Sequence, residues 1–569
     1  MPRHPTRPIL ALVLAALLAP SPVLAEDADA GAYLAARIAG GTSDYTAAAG
    51  WYTRALLADP GDPSLLEAAI VANLGLGEFD TATTIAARLH EIDALNQVAA
   101  IALLVDQVKV GDFAGVLAEA KAGRSIGALA DDLVAAWAEQ GMGQMSEALA
   151  RFDKVATTPG LEVIGLYHKA LALALVGDFE GADSILSGRA AGPLRGTRSS
   201  VIAHAQILSQ LERNPDALEL LGKTFSPGQD PGIDALRKRL EAGEVVPFDG
   251  VRSATDGLAE VFFTLASAMQ GDPANTLTLI YARIAATLRP DHTAALLLAA
   301  GLLDDQGQHD LASGVYGEIL TSDPMFYVAE IGRADSLYAD GKPDAAIAVL
   351  QALTSSDGQK VAVQAALADA LRREERYDEA SRAYDAAIAL VGKPERRHWT
   401  LFYSRGVCHE RLKHWPRAEA DFRRALELSP DQPQVLNYLG YSFLEMNLNL
   451  DEALAMIERA AKAQPDNGAI IDSLAWALYR LGRYGDALEP MERASVLEPV
   501  DPVVTDHLGD VYWAVGRKLE ARFQWRRALS FDPVEADAPR IRSKLEVGLD
   551  AVLAGEGGKP LPTQAADGN

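Results

Sequence analysis

The 569-residue chain is 49% hydrophobic but only 7% aromatic, so alanine and leucine supply much of its apolar content, as closely packed helices require. A formal charge of −26 disfavours nucleic acid and anionic lipid as general ligands. The single cysteine, Cys408, excludes an intrachain disulfide; it falls mid-helix, where a small buried residue is a plainer reading than a reactive thiol.

At the N-terminus, Arg3 and Arg7 precede an apolar run from Ile9 to Ala19, and Val23-Leu24-Ala25 suits signal-peptidase cleavage before Glu26. The run is too short for a permanent span, and no cysteine lies near the cleavage position to carry a lipid. Residues 1–25 therefore read as a signal peptide and the mature chain as exported, periplasmic and soluble. Residues 26–224 follow as about six degenerate helical hairpins, started near Asp29, Pro63, Gln97, Leu129, Val163 and Arg198. Gly77, Gly111, Gly143 and Gly177 end their first helices. The stretch 225–258 carries Ser-Pro, Asp-Pro and Val-Pro steps around one short helical segment, Ile233 to Leu240, and is expected to be a hinge between two blocks.

Residues 259–534 form the regular block. Eight hairpins start at Ala259, Thr293, Tyr327, Val361, Trp399, Pro433, Gly468 and Pro502, at spacings of 34, 34, 34, 38, 34, 35 and 34 residues. Small residues recur at the eighth place, including Ala300, Ala368, Gly406, Gly440, Ala475 and Gly509, and again near the twentieth, with Thr278 the exception. Each lets the two helices of a hairpin approach closely. Tyr316, Tyr384, Phe422, Met491 and Trp525 fill the twenty-fourth place, and prolines such as Pro430, Pro465 and Pro499 stop the second helices. Residues 535–554 are expected to form one capping helix and 555–569, rich in Gly, Pro and Ala, a disordered tail. This period and these slots resemble the tetratricopeptide repeat (TPR) consensus. The resemblance implies an all-α fold, a right-handed TPR superhelical solenoid of helix-turn-helix repeats in two blocks, with its core distributed between neighbours.

The sequence holds no Walker loop, His-Glu-x-x-His pair or Cys-x-x-Cys. His398, His409 and His414 lack metal-ligand spacing. The expectation is a non-enzymatic protein without cofactor or metal. A basic cluster from Arg396 to Arg424 is interleaved with Glu410, Glu419 and Asp421, and reads either as a charged helix surface or as a site for an acidic partner.

In TPR proteins the first helix of each hairpin lines a concave groove. The resemblance puts Asn437, Tyr441 and Leu444 on that face, then Asp472, Trp476 and Tyr479, then Asp506, Asp510 and Trp513, with Tyr403 and Glu410 extending it. Independently, each triplet has i, i+4, i+7 spacing and so shares one side of a helix. Aromatic rings beside carboxylates and an amide suit an extended peptide or a partner helix. The competing reading packs Trp476, Tyr479 and Trp513 between repeats as core. Asp472 and Asp506 fit a core poorly, because an unpaired buried carboxylate is expensive unless a neighbour such as Arg480 bonds it. The groove differs from the TPR clamp for chaperone C-termini: of its fifth places Tyr403, Asn437, Asp472 and Asp506, only Asn437 fits.

A narrower resemblance spans roughly Asn437 to Leu529. The strings Asn437-Tyr438-Leu439-Gly440-Tyr441, Ile471-Asp472-Ser473-Leu474-Ala475-Trp476 and Asp506-His507-Leu508-Gly509-Asp510 look like a subgroup of exported proteobacterial TPR proteins. That subgroup includes outer-membrane lipoproteins that act as adaptors for a periplasmic carboxy-terminal processing protease; the lack of a lipobox cysteine here departs from it. The resemblance implies protein or peptide partners: a periplasmic protease and its substrates, or envelope assembly proteins. The alternative function is a structural assembly factor for outer-membrane or cell-wall machinery, working through convex or edge contacts.

Overall fold

A computed structural model describes residues 26–190, 196–271 and 276–557, and among these it contains 31 α-helices, one 3-10 turn and no strand. The expected signal peptide, and residues 558–569 of the expected tail, lie outside the described residues. The helices are short and arranged as hairpins; Pro433–Glu445 and Leu450–Ala463, for example, have 13 and 14 residues. Such lengths are marginal in isolation, so packing within and between hairpins must supply their stability.

Local chemistry sets the helix ends. Asp62, Asp230 and Asp501 each cap a helix whose first residue is proline: Pro63–Leu76, Pro231–Glu241 and Pro502–Ala514. The carboxylate takes an orphan N–H, as Asp501 does from Val503 at 2.8 Å and Val504 at 2.9 Å, while proline has no N–H to orphan. At the other end Gly111 adopts φ +75°, and the Asp112 N–H closes on the Gln107 carbonyl at 2.8 Å, giving a left-handed cap and a tight turn.

The small eighth-place residues sit where the sequence requires them. A Cβ on Gly406 would lie 2.7 Å from the Phe422 ring, one on Gly440 2.8 Å from Ile457, and one on Gly509 would collide with the Trp525 indole.

The chain divides into two compact units, residues 1–353 and 354–569. In the first, the helices Ala254–Ala268 and Thr276–Leu288 do not simply extend the row of hairpins. The Ala254 helix packs against the first helices Ala128–Gly141 and Glu162–Leu175, and the Thr276 helix against Pro63–Leu76 and Gln97–Lys109. The face a TPR groove would present is thus occupied by the chain itself. Gly257 sits on the Trp137 ring, Tyr167 Oη donates to Glu260 at 2.8 Å, and Thr278, the large residue in a small slot, is fully buried.

The stretch 225–258, expected to be a hinge between two blocks, lies inside this first unit. Its Asp-Pro step starts the helix Pro231–Glu241, whose Ile233 and Leu240 share a core with Val201, Leu221 and Val246. Gln206 and Gln210 reach it through bonds to Asp249 at 2.6 Å and the Val246 carbonyl at 2.7 Å. At the C-terminal end, the single expected capping helix is two, Ala538–Val547 and Leu549–Gly555. Gly548, at φ +85°, breaks them where a Cβ would meet the Trp513 ring at 2.7 Å.

Replacing Gly509 by alanine should destabilise the second unit by about 1–3 kcal/mol through overpacking against Trp525. Replacing Gly301, a helical glycine with nothing within 4 Å, should instead stabilise by about 0.5–1 kcal/mol, both read from urea unfolding midpoints.

Candidate functional site

In the second unit the first helices Trp399–Arg411, Pro433–Glu445, Gly468–Arg480 and Pro502–Ala514 line one side of the hairpins. A groove of about 700 Å3 runs across them, bordered by Glu410, Asn437, Tyr438, Tyr441, Asp472 and Val503. It adjoins a recess of about 320 Å3 that shares Tyr441 and Glu445 and adds Trp476, Arg480, His507 and Arg540.

The nine residues expected to face a ligand divide into two groups. Tyr403, Asn437 and Tyr441 are half-buried. Asn437 and Tyr441 border the groove, and the buried Asn437 Oδ1 has no hydrogen-bond partner in the protein. Buried polar atoms are nearly always paired, so this oxygen is an exception. Tyr403 does not border the groove; it is packed among Trp399, Phe422 and Tyr438, with ring centroids 5.8–6.0 Å away. Burial, aided by Glu445 and Asp472, raises the Tyr441 phenol above its ordinary value, so it stays a neutral donor.

The remaining six are built into the fold to differing degrees. Asp472, 6% exposed, is bonded by His507 Nδ1 at 3.0 Å, not by Arg480. Trp476 stacks on His507 at 3.9 Å and on Tyr479 at 4.7 Å, leaving an edge on the recess while its Nε1 donates to Glu445 at 3.3 Å. Asp506 and Asp510 grip Lys544 of the capping helix at 2.7 Å each, and Trp525 Nε1 also donates to Asp510 at 2.9 Å. Trp513 lies beneath the caps, donating to Asp550 at 2.9 Å. Tyr479 and Trp513 are each 7% exposed, so both present little surface to a ligand.

Several groups here escaped sequence reasoning. His507 and Lys544 supply the partners that make the buried carboxylates tolerable, and Tyr438 orients Glu410 through a 3.1 Å bond. The one sequence signal for Lys544 was its i, i+4 spacing from Arg540 on the terminal helix, a basic pair matching the Asp506 and Asp510 row. Burial and the neighbouring Asp510 push the Asp506 carboxyl above its usual range despite Lys544. Burial alone would lower the His507 pKa, but Asp472, Asp506 and Asp510 outweigh it and hold it above its ordinary 6.5.

Much of the basic cluster is internally paired: Arg405 with Asp421 and Asp385, Arg423 with Glu419 and Glu452, Arg424 with Glu427. Arg411 and Lys413 border the groove. Burial pushes the Cys408 thiol up to about 12, which suits a packed residue rather than a nucleophile. Among the described residues no group of His, Cys, Asp and Glu side chains could hold a metal ion, and no helix is long and apolar enough to cross a membrane.

Residues 297–361, 331–380, 365–433 and 439–502 match the family described as tetratricopeptide repeat. These matches all fall within residues 297–502, and it is that part of the chain that is similar to tetratricopeptide repeats. Its sequence is 30% identical over 164 residues to a TPR repeat-containing protein of Pseudomonas aeruginosa, an alignment spanning 28% of this chain and 27% of that relative. Its structure is similar to the Cut9–Hcn1 hetero-tetramer of APC/C, with a TM-score of 0.38 and 14% identity over 92% of this chain and 96% of that one. A TPR protein from Parabacteroides merdae gives 0.36 and 17%, over 45% and 97%.

Two outcomes follow from the charges buried here. A proton held more tightly by His507 in the folded than in the unfolded chain stabilises the fold fully below pH 6.5, and progressively less as pH rises through the folded value. The unfolding midpoint of the second unit should therefore fall as pH is raised from about 6 to about 9, and His507→Gln should flatten that dependence. Lys544→Met should cost about 3–5 kcal/mol by leaving Asp506 without its cation and Asp510 with only Arg540 at 3.8 Å, visible as faster amide exchange across Ala538–Val547.

Proposed function

We propose that this TPR protein is a non-enzymatic protein-binding scaffold whose ligand lies in the groove bordered by Asn437, Tyr441, Asp472 and Val503 and extends to the adjoining recess at Trp476. The observation that carries the reading is the unpartnered, buried Asn437 Oδ1 at the edge of an open groove, with the Tyr441 ring beside it. An acceptor and an aromatic surface one helical turn apart suit a peptide main-chain N–H followed by an apolar side chain. Glu445 and Arg480, 3.5 Å apart at the recess, supply one charge of each sign to fix direction. Tyr403, Tyr479, Asp506, Asp510 and Trp513 support the groove floor and its closed end, and Trp476 contributes its exposed edge.

In the finer form of this reading the first 25 residues direct export to the periplasm, and the groove presents bound substrates to a carboxy-terminal processing protease. The support is the resemblance over Asn437 to Leu529. A second reading, an envelope assembly factor working through its outer surface, draws on Leu519 and Phe523, which are 84% and 64% exposed one turn apart on the helix Lys518–Leu529.

A crosslinking pull-down from periplasm, comparing the chain with an Asn437→Ala/Tyr441→Ala variant of unchanged circular dichroism, separates the two. The groove reading expects partner recovery to fall by at least about tenfold in the variant. Equal recovery of the same partners would move the surface elsewhere and favour the assembly factor. These substitutions are preferable to Trp476→Ala or Asp472→Ala, which would dismantle the buried stack on His507.

A further inference from the structure

In the first unit a second cavity, of about 530 Å3, opens between the helices Glu162–Leu175, Arg198–Gln210 and Ala254–Ala268, where the self-filled groove is left incomplete. Its walls are apolar, formed by Val163, Ile164, Leu186, Val201, Leu220 and Phe263, and its size suits a small molecule. Glu260, 4% exposed, contributes a carboxylate to this lining.

The surroundings of that carboxylate are unusual. Tyr167 Oη donates to Oε1 at 2.8 Å, and the His292 Nε2 lies 2.9 Å from Oε2. The other ring nitrogen of His292, Nδ1, accepts the Ala295 N–H at 3.2 Å, which leaves Nε2 as the nitrogen that faces Glu260. Tyr167 is kept protonated, its pKa raised well above the ordinary value by burial and by Glu260. Burial would raise the Glu260 pKa, but the bond and charge of His292, the charge of His168 and the bond from Tyr167 hold it below the usual carboxylate value, so the group is ionised. A histidine and a tyrosine are thus the partners of this carboxylate. Among the described residues no lysine or arginine pairs with Glu260; Arg289 is spent on the carbonyls of Asp249 and Gly250 and on Asp291. The other charges of the lining are matched: Arg198 is bidentate to Asp230, and His204 bonds Asp183, which Arg189 and Arg213 also hold.

A carboxylate offers about four acceptor positions, and the protein uses two. An ammonium that reached the two unused positions would add charge-assisted hydrogen bonds there. We propose that this cavity binds a small organic amine, with its ammonium on Glu260 and its apolar body against Phe263, Val201 and Leu220. The Thr264 and Ser199 side chains, also in the lining, stand beside this path. This site is independent of the groove in the second unit.

Calorimetric titration of the full chain with octylammonium, octanol and octanoate at neutral pH tests the assignment. Octylammonium should saturate a single site and bind at least about tenfold more tightly than either partner of equal chain length. Thr264→Trp, which fills the cavity without touching the bonds of Glu260, should abolish binding of all three with an unchanged unfolding midpoint. Glu260→Gln should erase the preference for the cation. Equal affinities for the three probes, no saturable binding, or full binding by Thr264→Trp would each overturn the proposal. Should Glu260→Gln fail to fold, the probe comparison still reads the charge and Thr264→Trp the location.

Discussion

Close contact between a small residue on the first helix of a hairpin and a large one on the second is the constraint on which the rest of this protein depends. Gly406 against Phe422, Gly440 against Ile457 and Gly509 against Trp525 repeat it through the second unit. Helices of 13 or 14 residues do not persist alone in water, so each hairpin exists only because its two members interlock and its neighbours cover what remains. Stacking hairpins in this way leaves the first helices side by side, and their shared face must then be covered or used.

The chain covers much of that face itself. In the first unit the Ala254 and Thr276 helices lie on the preceding first helices, where a partner would otherwise sit. In the second unit the terminal helices close one end, with Lys544 fully buried between Asp506 and Asp510. What the chain leaves open is the groove beside Asn437 and Tyr441, its continuation at Trp476 and Arg480, and in the first unit the cavity lined in part by Glu260. Buried carboxylates mark these borders: Asp506 and Asp510 hold Lys544, Asp472 is bonded by His507, and Glu260 by His292 and Tyr167.

The repeating skeleton was legible in the sequence because its causes are local. Asp-Pro starts, glycine stops and small residues at fixed places act within a few residues or one hairpin, and the structure puts them to those uses. Asn437 and Tyr441 were legible for the same reason, through i, i+4 spacing on one helix. Asp506, Asp510 and Trp513 were legible as inward-facing but not as covered, because their partners Lys544 and Asp550 lie 34 to 38 residues further along. The stretch 225–258 reads as a hinge from its prolines, while the bonds that pin it come from Gln206 and Gln210 on another helix. The docking of the Ala254 and Thr276 helices left one local trace, Thr278 in a slot that is otherwise alanine.

The most direct test of the account places a photo-crosslinking side chain at Asn437 in the groove and, separately, at Leu519 on the outer surface, and maps what each captures in cells. The account predicts that one partner is captured from position 437 and not from 519, at a site within a contiguous peptide segment of that partner. Capture of the same partner from 519 alone, with none from 437, would contradict it.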